Sequence, residues 1–228
     1  MATRTPAEQL TVDEVLAELE ALEDPKMREV NRRHGNDIGV NLSKLRAIAK
    51  RLKTQHEFAK ELWATEDPQA RLVAILISSP KRYTAEQLDE MLRDTRVPKV
   101  QDWLVNYILK KNPECEDLRI PWMEDIDQDV AAAGRALTSH AVAQGVENLD
   151  LKDLLDRIEE QMTLAPDRLQ WAMNECLATI GIYSPKHRKR AIQIGHRLEV
   201  LKDYPTPPNC TSPYAPAWIE EMVARQKV

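Results

Sequence analysis

Three residues stand out because of the helix faces they occupy. At 100° per residue, an amphipathic helix gathers its apolar residues on one stripe. In the segment 166–180, Leu169, Met173, Cys176, Leu177 and Ile180 form that stripe, and Trp171 points nearly opposite, beside Asn174 and Ala178. In 127–143 the stripe is Val130, Ala133, Leu137 and Ala141, and Arg135 lies off it, flanked by Ala131, Ala132 and Ser139. In 98–111 the stripe is Val100, Leu104 and Ile108, with Trp103 about a quarter-turn away among Lys99, Asn106, Tyr107 and Lys110. Trp103 and Arg135 are 32 positions apart, and Arg135 and Trp171 are 36 apart. Helix-pair repeats run to roughly 34–47 residues, so the three residues fit comparable faces of successive repeats and one shared surface. Packing between repeats also explains an off-stripe Trp, and a solvated surface charge explains an off-stripe Arg.

A second feature is the run Pro185-Lys186-His187-Arg188-Lys189-Arg190 at a helix start. The macrodipole is positive there, so each cation carries a cost of a few tenths of a kcal/mol. An anionic partner reverses that cost, and phosphate at a helix N-terminus is the expected one. A strip of Lys44, Arg46, Lys50, Arg51 and Lys53 lies near 43–53, where solvated pairing with the many acids is the favoured reading.

The elements that must position these groups are helices. Thr11 with Glu14 and Thr84 with Gln87 have the spacing of capping boxes that open 12–22 and 85–92. Asp67-Pro68 and Ser184-Pro185 put an N-cap ahead of a proline at the first helical position, opening 69–77 and 186–201. Further helices are expected over 43–53, 56–65, 98–111, 127–143, 150–163 and 166–180. No segment alternates with period two, so no sheet is expected. Tyr204 to Pro216 holds five prolines and is expected as an extended, stiff strap packed through its aromatics, followed by a short helix at 216–225. The whole of 1–228 reads as one domain of antiparallel helix pairs.

Bulk properties narrow the function classes. With 43% hydrophobic and 30% charged residues the chain is globular and not disordered. The net charge of -5 opposes a nucleic-acid partner unless the basic residues are gathered on one side. Three scattered cysteines indicate free thiols in a reducing compartment, and no apolar stretch approaches the roughly 20 residues of a membrane span. A cytoplasmic location is expected, in bacterial cytoplasm or with the nucleoid. There is no Gly-rich phosphate loop, and the five histidines lack metal spacing, so no cofactor and no metal are expected.

The run Gly39-Val40-Asn41-Leu42-Ser43-Lys44-Leu45-Arg46-Ala47-Ile48-Ala49-Lys50 resembles the AlkD-like DNA alkylation repair family. So do His56 to Trp63, Glu66 to Leu72, Trp171 to Asn174, Ile182 to Ala191 and Cys210 to Tyr214 onward. The resemblance spans about residues 35 to 226. It implies an all-α, right-handed superhelix of HEAT-like helix pairs with a basic concave face. It also implies a monomer that binds alkylated duplex DNA and, as a DNA glycosylase, excises cationic N3- and N7-alkylated purines without flipping them. The family's cleft uses two Trp, one Asp and one Arg. Trp103 and Trp171 match the aromatic walls, which attract a cationic base, and Arg135 matches the phosphate-gripping Arg. The Asp, which would stabilise an oxocarbenium-like sugar, is matched by Asn106, or by Tyr107 if the register slips by one. Neither is a carboxylate. Three classes therefore remain: a glycosylase, a non-catalytic DNA-binding or damage-sensing protein, and an acidic protein-binding scaffold.

Overall fold

The computed structural model describes residues 7–226. The described residues fall into two compact units that meet between Cys115 and Glu116 in the sequence. The first contains α1 (Val12–Ala21), α2 (Pro25–Arg32), α3 (Leu42–Leu52), α4 (His56–Trp63), α5 (Pro68–Ile77), α6 (Ala85–Asp94) and α7 (Pro98–Trp103). The chain runs on from α7 as a π-helical turn, Leu104–Ile108, and a 3-10 turn, Leu109–Lys111. Next come α8 (Cys115–Met123), α9 (Gln128–Ala143), α10 (Leu151–Gln161), α11 (Asp167–Tyr183), α12 (Pro185–Leu198) and α13 (Ala215–Arg225). No strand occurs among the described residues.

Local chemistry accounts for most helix starts. Both capping boxes form, and the Asp67 carboxylate accepts from the Gln69 and Ala70 N–H groups ahead of α5. Ser184 departs from expectation: its hydroxyl meets Nδ1 of His187 at 2.9 Å and makes no side-chain cap. Two helices carried no apolar signal strong enough to read. α2 buries no residue and is held by Arg28 ion pairs to Glu23 and Asp37 and by Arg32 to Asp37. α8 carries Pro121 in its interior, a residue that ordinarily breaks a helix.

Each unit is built round one enclosed helix. α5 buries Gln69 through Ile75 and Ile77 and packs against α1, α3, α4 and α7. α11 packs against α9, α10, α12 and α13, with Met173, Cys176, Leu177, Ala178 and Ile180 at 1% exposure or less. The proline segment is packed only over its second half: residues 211–216 are half-buried or buried, whereas most of 204–210, Tyr204 included, is exposed. Asn174 Nδ2 donates to the Pro213 carbonyl at 2.8 Å, and Pro216 lies against Gly195. It is not extended throughout: Cys210 N–H donates to Pro207 O at 3.1 Å, and Asn209 has φ +67°, so a turn interrupts it.

Gly134 on α9 is where α8 comes closest. A Cβ there would lie 2.6 Å from the Met123 nitrogen and 2.7 Å from the Trp122 carbonyl carbon. These are backbone atoms, which cannot rotate away. Gly134→Ala is therefore expected to destabilise the second unit by about 1–3 kcal/mol, read as a lowered thermal unfolding midpoint. An unchanged midpoint would mean that α8 sits further from α9 than this packing requires.

Candidate nucleic-acid interface

In the first unit, basic and aromatic side chains gather where α3 faces the end of α7. The π-helical turn closes when the Leu109 N–H donates to Leu104 O, five residues back. Trp103 and Tyr107 bracket this turn with ring centroids 5.2 Å apart and planes tilted by 55°. Arg46 reaches across from the exposed side of α3. Its guanidinium lies 4.8 Å from the Trp103 ring centroid, with Nη2 3.5 Å from the Tyr107 hydroxyl. The Lys111 ammonium sits 5.5 Å over the Tyr107 ring. Cation–π contacts of this kind contribute roughly 0.5–1 kcal/mol each when exposed. They also hold charged ends that would otherwise be mobile.

Two sequence expectations are corrected here. Trp103 is not an open wall: it is 6% exposed, with Arg46 on its face. Asn106 is exposed, and its amide is held along its own helix. Its Nδ2 donates to Asp102 O at 2.8 Å, and its Oδ1 accepts from Lys110 Nζ at 2.7 Å. Within the strip near 43–53, Arg51 pairs with Glu8 and Glu18 as expected of a solvated charge, whereas Arg46 has an aromatic seat.

In the second unit the remaining candidates separate. Trp171 is 38% exposed and meets Tyr204 edge-on at 5.2 Å. Arg135 is only 3% exposed, which corrects the expectation of a guanidinium within reach of DNA phosphate. It lines a cavity of about 470 Å³ whose lining does not include Trp171. Its Nη1 approaches the Met123 sulfur at 3.7 Å, its Nε has no partner, and burial pushes its pKa down.

The basic start of α12 divides in the same way. Arg188 donates from Nε to Gly181 O at 2.8 Å and from Nη2 to Ile182 O at 2.9 Å, filling carbonyls at the end of α11. Arg190 is ion-paired to Asp156 and to Glu159. Lys186 and Lys189 are exposed, with no ion-pair partner among the described residues. The two lysines thus face solvent, whereas the donors of the two arginines serve the fold.

Sequence reasoning missed Arg46, Lys111 and Tyr204 as members of these clusters. The available signal was the ladder Trp103, Tyr107, Lys111, with four residues per step on one face. Among the described residues, no group of three His, Cys, Asp or Glu side chains could hold a metal, and no helix is long and apolar enough to cross a membrane.

Comparison with known proteins supplies the wider frame. A family model described as DNA alkylation repair enzyme matches residues 15–219. The chain is 24% identical to Lin0241 of Listeria innocua serovar 6a, over 96% of this chain and 99% of that one. It is 24% identical to Lmo0209 of Listeria monocytogenes serovar 1/2a, over 96% of this chain and all of the other. A solved structure covers 95% of each chain with a TM-score of 0.75 and 22% identity. It is described as a new family of proteins related to the HEAT-like repeat DNA glycosylases with affinity for branched DNA structures. That likeness shows the fold, an all-α HEAT-like repeat.

The division of α12 sets an expectation. Arg188→Gln removes two charge-assisted hydrogen bonds from partly buried carbonyls and is expected to lower stability by roughly 1–3 kcal/mol. Lys186→Glu and Lys189→Glu are expected to lie within about 0.5 kcal/mol of the parent. Chemical unfolding of the three variants checks this, and an Arg188 variant as stable as the lysine variants would refute the assignment.

Proposed function

The chain belongs to the DNA alkylation repair enzyme family, and from that premise we propose that it binds DNA through backbone phosphates and holds it without excising a base. The observation that carries this reading is the Arg46 guanidinium lying over Trp103, beside Tyr107 and Lys111. The seat that an excising relative would offer to a cationic purine is filled by the chain's own cation. A planar guanidinium stacked on an indole keeps its N–H edges for a phosphate. Lys110, Lys111 and, in the second unit, Lys186 and Lys189 add phosphate-binding charge.

Excision of cationic N3- or N7-alkylated purines is the second reading, favoured by the family resemblance. It asks for a carboxylate beside the developing sugar cation. The matched residue is Asn106, a neutral amide engaged by Lys110 and the Asp102 carbonyl. Branched DNA is the target proposed over linear duplex. The support is the described affinity of the structural neighbour, together with a net charge of -5 that weakens any long, purely electrostatic contact.

Fluorescence anisotropy with a four-way junction and a linear duplex at several salt concentrations tests the reading. The junction is expected to bind more tightly, and methylated duplex is expected to release no purine. Arg46→Ala should weaken junction binding roughly 5- to 30-fold and reduce the log–log salt slope by about 1. Asn106→Asp should remain unable to excise, because Arg46 still covers the ring. Release of methylated purine by the parent protein would replace this reading with the catalytic one, and absence of binding to either DNA would refute both.

A further inference from the structure

Lys99 stands beside Trp103 in the sequence pattern, and the DNA reading leaves it unused. It is half-buried at the start of α7, with no ion-pair partner among the described residues. It lines a cavity of about 270 Å³ contained in the first unit. Met27, Ile38 and Leu42 give the cavity apolar walls, and Asn31, Asn36 and Asn41 bring amides. No carboxylate lines it among the described residues, so the Lys99 ammonium is its one unmatched charge.

The loop between α2 and α3 is tied to the start of α7, which fixes the cavity's shape. Asn36 Oδ1 accepts from the Lys99 N–H at 2.8 Å, and Asn36 Nδ2 donates to His34 O at 3.1 Å. Gly35, with φ +74°, lets the loop approach the Pro98 ring: a Cβ there would lie 3.4 Å from Pro98 Cγ. Asn31 Nδ2 donates to Ile38 O at 2.7 Å, and Asn41 Oδ1 accepts from the Ser43 N–H at 2.8 Å as the cap of α3. Three groups keep spare capacity: the Lys99 ammonium and Asn41 Nδ2 as donors, and Asn31 Oδ1 as an acceptor.

Lys99 is one turn from Trp103 on α7, and Leu42 is one turn from Arg46 on α3, about 6 Å along each axis. The cavity therefore lies next to the Arg46 seat, within reach of one nucleotide. We propose that it receives an unpaired guanine of branched DNA whose backbone phosphate lies on Arg46. Guanine presents O6 and N7 side by side as acceptors, the pair that lysine reads, and its amino group donates to an amide oxygen. Adenine puts an amino donor where O6 stands, facing the ammonium. A thioether and aliphatic side chains suit a flat ring. A branch point supplies bases that have already lost their partner, which spares most of the unpairing cost. The cavity is separate from the residues matched to excision, since neither Trp103 nor Asn106 lines it. The inference rests on the DNA reading and names what would set a junction apart from linear duplex.

Anisotropy titrations with duplexes carrying a single-nucleotide bulge test it, with guanine, adenine or an abasic residue in the bulge. The parent is expected to bind the guanine bulge roughly 3- to 10-fold more tightly than the other two. Lys99→Gln removes the cation, and Asn41→Asp keeps the helix cap while turning the amide donor into an acceptor. Both variants change the charge facing every DNA alike, so the ratio of guanine to abasic affinity is the readout. That ratio should fall below about twofold in each. The Met27 methyl resonance should move with the guanine bulge and with millimolar deoxyguanosine. Equal binding of guanine and abasic bulges by the parent, or of guanine and adenine bulges, overturns the proposal, as does a preference that both variants retain. If the parent binds no DNA, the DNA reading fails separately, and the deoxyguanosine titration decides the pocket: an unmoved Met27 methyl overturns it too.

Discussion

An enclosed helix must find partners for its polar side chains inside the protein, and much of each unit is arranged to supply them. Leaving a buried polar group unpaired costs about 1–3 kcal/mol. Gln69, 2% exposed on α5, accepts from the Gly39 and Val40 N–H groups and donates to Glu23. That single side chain pins the loop leading into α3, the helix that carries Arg46. Arg71, two residues on, lies over the Trp63 ring and is held by the Trp63 carbonyl and by the carbonyl and carboxylate of Asp94, fixing the end of α6. On α11, Asn174 does the same for the proline strap through Pro213. Cys176, wholly enclosed beside it, has its thiol pushed up to about 11 by burial, so it stays protonated and inert.

The architecture was legible because it rests on short-range rules. A Thr three residues before a Glu or Gln, or an Asp before a Pro, sets a helix start whatever surrounds it. Apolar stripes such as Val100, Leu104 and Ile108 name the buried faces, and all three are at 1% exposure or less. Legibility failed where stability comes from charges or from tertiary context. α2 has no apolar stripe to find, and α8 exists despite its internal proline. α2 is held by ion pairs to sequence neighbours, which an apolar pattern does not show, and α8 by its close approach to α9.

The site was legible in its residue types and less so in their roles. Angular position identifies a side chain that leaves the main stripe, but it does not say what waits there. For Trp103 it was a cation from α3, and for Arg135 the buried wall of a cavity. The basic run at α12 shows the same limit. Its four cations look alike in sequence, yet two hold carbonyls or carboxylates and two face solvent. Only the positions of Gly181, Ile182, Asp156 and Glu159 distinguish them.

The π-helical turn at Leu104–Ile108 has a consequence for comparing this chain with its relatives. A ring closed five residues back contains one residue more than an ordinary helical turn. A relative that keeps a regular helix here is offset by one position from this chain on one side of the turn. The choice between Asn106 and Tyr107 as counterpart of a relative's acid is therefore a question of where that extra residue is counted. Tyr107 packs at a tilt on Trp103 within reach of Arg46, whereas Asn106 is exposed and bonded back along its own helix.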